Sequence, residues 1–120
     1  MKKCLIVDDV AVSLYTARLF IEELGLNVET VSDSKSAIAA VETYDPDIIL
    51  MDWHLKKESG IDLVKKIKSK YSPNVKIVMF SGVESEDKKG EAKSAGADGF
   101  IEKPTTKEKL DVELRRVGIL

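Results

Sequence analysis

The chain has 120 residues, of which 43% are hydrophobic, and this length and content suit one domain with a single core. Its 19 basic and 21 acidic residues nearly balance, so we expect no direct binding to nucleic acid, which needs a basic surface. The first apolar run ends at Asp8, too early for a signal peptide or a membrane span. We therefore predict one domain over residues 1–120, without membrane insertion and located in the cytoplasm.

Apolar segments of strand length alternate five times with segments of helical periodicity. The predicted strands cover residues 4–7, 28–31, 47–51, 76–80 and 99–101. The predicted helices cover residues 12–24 and 34–44, a segment that begins after Ser59 and ends before Ser72, residues 84–95, and a segment that begins near Thr106. This alternation predicts a doubly wound α/β fold, in which helices cover both faces of a parallel sheet.

Residues typical of helix ends support these boundaries. Asp33 and Ser59 precede the second and third helices, where a side-chain oxygen can accept hydrogen bonds from the first turn. Gly25 follows the first helix, at the position where glycine often ends a helix. Gly90 lies inside the fourth helix and lowers its stability by about 1 kcal/mol relative to alanine, so we expect this helix to be the least stable.

Polar residues follow four of the predicted strands. Asp8 and Asp9 come after the first strand, Asp52 after the third, Ser81 after the fourth and Lys103 after the fifth. In parallel α/β sheets, ligands bind beyond the carboxyl ends of the strands, so we expect these side chains to converge. Three clustered carboxylates repel one another and favour a bound cation, and oxygen ligands suit Mg²⁺.

These residues lie in motifs that together resemble the receiver domains of two-component response regulators, the CheY-like family. The motifs are the paired acids at residues 8–9, the run ending in Asp52 at residues 46–52, Ser81-Gly82, and the segment at residues 95–104. The resemblance covers nearly the whole chain. It implies a flavodoxin-like fold with five parallel strands in the order 2-1-3-4-5 and five flanking helices.

The resemblance also implies a role for each residue of the pocket. Asp52 would accept a phosphoryl group from a sensor histidine kinase or a histidine phosphotransfer protein. Mg²⁺, with Mn²⁺ as a substitute, would be held by Asp8, Asp9, Asp52 and the backbone carbonyl of His54. Lys103, followed by a proline that commonly has a cis peptide bond in this family, would bind a phosphoryl oxygen.

The family's switch is expected at Ser81 and Phe100. The Ser81 hydroxyl would turn toward the phosphoryl group, and Phe100 would then rotate inward. The face of the fourth helix, fifth strand and fifth helix would bind a downstream protein. The chain would catalyse only its own phosphorylation and dephosphorylation, so we do not expect a multiple-turnover enzyme. Trp53, beside Asp52, is expected at the rim of the pocket.

Several positions depart from the family pattern. Lys56 stands four residues after Asp52, where proline is common, and Thr105 follows Pro104, where an apolar residue is common. His54 and Val83 occupy the positions that tune hydrolysis in the family, and neither carries a carboxylate or an amide. This predicts a long-lived aspartyl phosphate.

Two other functions stay open at this point. A magnesium-dependent phosphatase or phosphotransferase also uses a nucleophilic aspartate, but it typically has a second aspartate two residues later, where this chain has His54. A degenerate receiver could act as a binding scaffold alone, although Asp9, Asp52 and Lys103 are all present. The chain could also be a segment of a larger regulator or hybrid kinase.

Overall fold

The computed structural model describes residues 1–82 and 86–120, apart from the side chain of Glu86. Within these residues, five strands and five α-helices alternate. The strands are β1 (Lys3–Val7), β2 (Asn27–Val31), β3 (Ile48–Asp52), β4 (Lys76–Ser81) and β5 (Gly99–Glu102). The helices are α1 (Ala11–Glu23), α2 (Ser34–Tyr44), α3 (Gly60–Lys66), α4 (Glu86–Ala95) and α5 (Lys107–Arg116).

All neighbouring strands pair in parallel, in the order β2-β1-β3-β4-β5. The predicted fold class and strand order are therefore confirmed, and each strand boundary lies within one residue of its predicted position. The predicted start of the fourth helix at Glu84, together with Val83, lies outside the described residues. One feature was not predicted: α3 continues as a π-helical turn, Ile67–Tyr71.

Alternate residues of the central strands face opposite sides of the sheet. On one side, Leu5, Ile49 and Ile77 pack in a buried cluster with side chains of α2, α3 and α4. On the other side, Ile6 and Leu50 pack in a second cluster with side chains of α1 and α5. The near-continuous apolar strands therefore reflect burial on both faces, as their sequences predict.

Among the helix starts that the structure describes, those of α2, α3 and α5 have side-chain caps. Asp33 accepts a hydrogen bond from Ser36 N at 2.7 Å, and Ser59 accepts one from Ile61 N at 3.1 Å. Thr106 caps α5 by accepting from Lys109 N at 3.1 Å. The caps predicted at Asp33 and Ser59 are confirmed, and they fix where the loops at the carboxyl ends of β2 and β3 return to helix.

The chain order changes direction in the sheet at β1, which lies between β2 and β3. In doubly wound sheets, this switch point leaves a crevice beyond the carboxyl ends of the two central strands. Among the residues that the structure describes, no helix is both long and apolar enough to cross a membrane.

Candidate functional site

Three carboxylates meet at the carboxyl ends of β1 and β3. Asp8 and Asp9 directly follow β1, and Asp52 is the last residue of β3. One oxygen atom from each lies within 4.8 Å of the others, although Asp8 and Asp52 are only 1% and 7% exposed. We call Asp8, Asp9, Asp52 and Lys103 the acidic pocket. A hard cation such as Mg²⁺, which prefers oxygen ligands and keeps some waters, fits this donor set.

Lys103 brings a positive charge to the pocket from β5. Its backbone N–H donates to Ser81 O at 2.7 Å, which ties the start of the β5–α5 loop to the end of β4. Its ammonium Nζ donates to Asp8 Oδ2 at 2.7 Å and to Asp52 Oδ1 at 3.3 Å. The peptide bond between Lys103 and Pro104 is cis. The lysine thus joins two of the three carboxylates.

One ammonium does not compensate the three carboxylates. Burial raises the pKa of Asp52 above its ordinary value, and the negative charge of Asp8 raises it further, while Lys103 acts in the opposite direction. The charged form of Asp52 is therefore disfavoured in the protein alone. A cation bound among the carboxylates would remove this penalty.

Asp8 has a hydrogen-bond donor on each oxygen. Oδ1 accepts from Val10 N at 2.9 Å, and Oδ2 accepts from Lys103 Nζ. Both carboxylate oxygens of Asp8 therefore accept hydrogen bonds. Asp9, the next residue, is half-buried, whereas Asp8 is buried.

Backbone hydrogen bonds close the loop that follows β3. Gly60 N donates to Trp53 O at 2.7 Å, and Leu55 N donates to Glu58 O at 3.2 Å. A Cβ atom at position 60 would collide with the backbone carbonyl of Asp52, so only glycine permits this close approach. The loop thus returns to the backbone of Asp52 at Gly60, and Lys56 within the loop is exposed.

Of the two predicted switch residues, Ser81 lies beside the pocket, where its carbonyl accepts the Lys103 N–H, and Phe100 packs against Trp53. Ser81, the last residue of β4, is 1% exposed, and Phe100 of β5 is half-buried. The side chain of His54 is exposed, and its backbone pairs with Ser59 across the loop in a single bridge. Ser81 thus reaches the same edge of the sheet as Asp52 and Lys103.

Residues 4–115 match the family model described as the response regulator receiver domain. The chain belongs to this family. Receiver domains are signalling modules of two-component systems rather than conventional enzymes, and they bind Mg²⁺ in an acidic pocket. The three-carboxylate cluster could hold such a metal ion.

Similar proteins include both short and long receiver-containing chains. The chemotaxis protein CheY of Halobacterium salinarum is 34% identical over 109 residues, which cover 88% of each chain. The phosphate regulon transcriptional regulatory protein PhoB of Pseudomonas aeruginosa is 32% identical over 97% of this chain. This chain spans only 51% of PhoB and 50% of the probable transcriptional regulatory protein TcrX of Mycobacterium tuberculosis.

Solved structures agree with the fold. The chemotaxis response regulator CheY4 of Vibrio cholerae superposes with a TM-score of 0.90, at 30% identity and 98% coverage of both chains. The receiver domain of a CheY-like protein from Methanospirillum hungatei gives a TM-score of 0.87, at 29% identity, and covers 96% of this chain and 91% of its own.

Trp53 differs from its predicted place in the receiver domain. It is 6% exposed and lies in the core cluster under α3 and α4 rather than at the rim. Phe100 meets it edge-on, with ring centroids 6.1 Å apart, and Lys88 Nζ lies 5.0 Å from its ring centroid. The sequence places Trp53 next to Asp52 but cannot tell which way the ring turns.

The outer face of α1 is another feature that the sequence did not mark. Val12, Tyr15 and Leu19 are large apolar residues at helical spacing, and all three are exposed. Beside them, a groove of about 390 Å³ runs along Lys103 and Pro104. The receiver domain therefore presents an apolar surface next to its acidic pocket.

Proposed function

We propose that this receiver domain accepts a phosphoryl group on Asp52 from a phosphohistidine of a sensor histidine kinase or a histidine phosphotransfer protein. The observation that carries the proposal is the contact of Lys103 Nζ with both Asp8 and Asp52 inside a cluster of three carboxylates. This arrangement suits phosphoryl transfer, in which catalysis consists mainly of positioning and charge stabilisation.

In the proposed step, an oxygen of Asp52 attacks phosphorus as the bond between phosphorus and the histidine nitrogen breaks. The imidazole keeps the bond's electron pair, and an aspartyl phosphate forms. Lys103 moves its hydrogen bonds from the carboxylates to a phosphoryl oxygen. Asp8, Asp9, Asp52 and the carbonyl of His54 would hold Mg²⁺ or Mn²⁺. The bound cation supplies positive charge that offsets the charge of the phosphoryl oxygens.

The signal would leave the pocket through Ser81 and Phe100. The Ser81 hydroxyl turns toward the phosphoryl group, Phe100 rotates inward, and the face formed by α4, β5 and α5 changes its affinity for a downstream protein. The donor protein reaches Asp52 beside the apolar outer face of α1. We place the protein in the cytoplasm, where it turns over no substrate other than its own phosphoryl group.

A phosphorylation assay tests the proposal. The protein is incubated with Mg²⁺ and acetyl phosphate, and its intact mass is measured. We expect one added phosphoryl group in wild type, none in Asp52→Ala, and none in wild type when the metal is chelated. Asp62→Ala is the matched control, because Asp62 is an exposed aspartate on α3.

Two outcomes would support other functions. If wild type gains no phosphoryl group from acetyl phosphate or from an autophosphorylated histidine kinase, the chain is a scaffold. If wild type steadily hydrolyses a range of phosphoesters with Mg²⁺, it is an enzyme instead.

The lifetime of the aspartyl phosphate is a separate prediction. His54 and Val83 carry no carboxylate or amide to orient an attacking water, so we expect the phosphoryl group to persist longer than in relatives with polar residues at both positions. The decay of the phosphorylated mass after removal of the donor measures this lifetime. A half-life of seconds would contradict the prediction, and His54→Asn should shorten the half-life.

A further inference from the structure

The residue after the proposed phosphoacceptor contacts three other parts of the protein. The backbone of Trp53 is fixed on both sides: its N–H donates to Phe80 O at 2.9 Å, and its carbonyl accepts from Gly60 N at 2.7 Å. The indole ring lies in the buried cluster that includes Ala92 and Ala95 of α4. The Trp53 backbone is thus tied to β4 and to the start of α3, whereas its ring contacts side chains of other elements.

Two side chains from different elements share this ring. Phe100 of β5 presents its edge, with an angle of 66° between the ring planes. Lys88 of α4 is half-buried and places its ammonium 5.0 Å from the ring centroid, within the range of a cation–π interaction. An ammonium on a partly desolvated aromatic face is held more strongly than one in open solvent. The Trp53 ring thus links α4 to Phe100.

We propose that Lys88 is a positioning residue: its contact with Trp53 holds α4 and Phe100 in the unphosphorylated arrangement and must change when Phe100 turns inward. This inference rests on the proposed function. An inward turn of Phe100 changes its edge-on contact with Trp53, and the indole cannot follow by backbone movement. The ring must reorient, and Lys88 then loses its position over the ring.

Linkage gives the direction of the effect. If the cation–π contact stabilises the unphosphorylated arrangement, phosphorylation must work against it, and removing the contact makes phosphorylation easier. We therefore expect Lys88→Met to raise the population of the arrangement that accepts the phosphoryl group about two- to fivefold, the fold-change that corresponds to one such contact, and to raise the initial rate of phosphorylation by acetyl phosphate and Mg²⁺ in proportion. Lys88→Arg keeps a cation over the ring and should behave as wild type.

The test compares these variants by intact mass at an acetyl phosphate concentration that labels wild type only partly. Lys93→Met is the matched control, because Lys93 is an exposed lysine on α4 and should leave the rate unchanged. In a Trp53→Leu background, Lys88→Met should have no effect, because the ring is absent. Trp53 is the only tryptophan, so its emission reports the contact directly and should change in Lys88→Met but not in Lys93→Met.

Three outcomes would overturn the inference. Lys88→Met could label at the wild-type rate, its effect could persist unchanged in the Trp53→Leu background, or Lys93→Met could raise the rate equally. The last two would point to a general effect of charge rather than to the ring contact. If wild type itself takes no phosphoryl group, the proposed function fails. If wild type is phosphorylated normally and Lys88→Met is phosphorylated at the same rate, only the inference about Lys88 fails.

Discussion

Two regions of the protein differ in how far their carboxylates are compensated by cations and hydrogen-bond donors. In the acidic pocket, three carboxylates cluster, the ammonium of Lys103 contacts only Asp8 and Asp52, and the pKa of Asp52 is raised. Near the start of β5, a second group, which we call the anchor cluster, consists of Lys68, Asp98, Glu113 and Arg116. There each carboxylate has a cation and a backbone N–H as partners.

The anchor cluster joins several elements. Asp98 Oδ2 accepts from Lys68 Nζ at 3.0 Å and from Ile77 N at 2.9 Å, so it ties β4 to the π-helical turn after α3. Glu113 of α5 accepts from Phe100 N at 2.9 Å and pairs with Arg116. Burial raises the pKa of Glu113, but the hydrogen bonds from Arg116 and from Phe100 N–H outweigh it and hold the pKa below its ordinary value.

This difference in compensation distinguishes carboxylates that stabilise the fold from carboxylates that bind a ligand. Where carboxylates hold the protein together, donors compensate each one and stabilise the charged form. Where a ligand is to bind, the charges are left short of compensation, which costs stability and favours binding. The two regions therefore predict opposite effects when a carboxylate is neutralised.

The largest effect is expected in the anchor cluster. Asp98→Ala removes the acceptor for Ile77 N and the partner of Lys68, leaving a backbone N–H without its hydrogen bond. We expect a loss of about 2 kcal/mol in the free energy of unfolding, the usual cost of an unsatisfied buried group. Denaturant unfolding measures it. Asp98→Asn keeps an acceptor and should lose less; equal losses in both variants would mean that charge alone matters.

In the acidic pocket, neutralisation should stabilise the protein. Asp52→Asn removes a buried charge that burial and Asp8 disfavour, so we expect a gain of about 1 kcal/mol at pH 7 without metal, the ordinary size of a single-substitution effect. Asp62→Asn is the exposed control. Saturating Mg²⁺ should reduce the difference in free energy of unfolding between Asp52→Asn and wild type, because bound metal stabilises wild type, which keeps all three carboxylates.

The pH dependence of this gain follows from the raised pKa. Between the ordinary aspartate pKa, about 3.9, and the raised value, folded wild type binds more protons than the unfolded chain. Wild type therefore loses stability as pH rises through this window, relative to Asp52→Asn. The gain should be complete above the window and vanish below it, and a gain that grows as pH falls would contradict the raised pKa.

Much of the fold and the meeting of the pocket residues could be predicted from the sequence. The positions of the central strands and their burial on both faces follow from near-continuous apolar runs, and the cap at Asp33 depends only on its own helix. Parallel strands end at one edge, so residues after β1, β3 and β5 must meet there. Asp8, Asp52 and Lys103 do meet, as predicted from those strand ends.

The contacts that could not be predicted depend on how helices sit on the sheet. Glu113 and Arg116 look in sequence like an ordinary i, i+3 pair on a solvated helix face. Only the position of α5 against β5 brings Glu113 to the Phe100 N–H. Lys88 likewise lies in a charged segment, and its place over Trp53 depends on how α4 packs and on the rotamer of the indole.

The smallest predicted effect lies at Glu113. Glu113→Gln keeps an acceptor for Phe100 N but loses the charge that pairs with Arg116, whose side chain is 55% exposed. Because solvent screens such a pair, we expect a loss of about 0.5 kcal/mol at pH 7, measured by denaturant unfolding. Glu108→Gln, at an exposed glutamate of the same helix, is the control.

The sign of its pH dependence should be opposite to that at Asp52. The pKa of Glu113 is lowered, so its charge stabilises the protein fully above the ordinary glutamate pKa of about 4.3, and this stabilisation is lost as pH falls through the lowered value. The stabilities of wild type and Glu113→Gln should therefore converge in acid. Asp52→Asn should also converge with wild type there, but it starts at pH 7 as the more stable protein, whereas Glu113→Gln starts as the less stable one. If both substitutions shift stability in the same direction at pH 7, the contrast between the two regions does not hold.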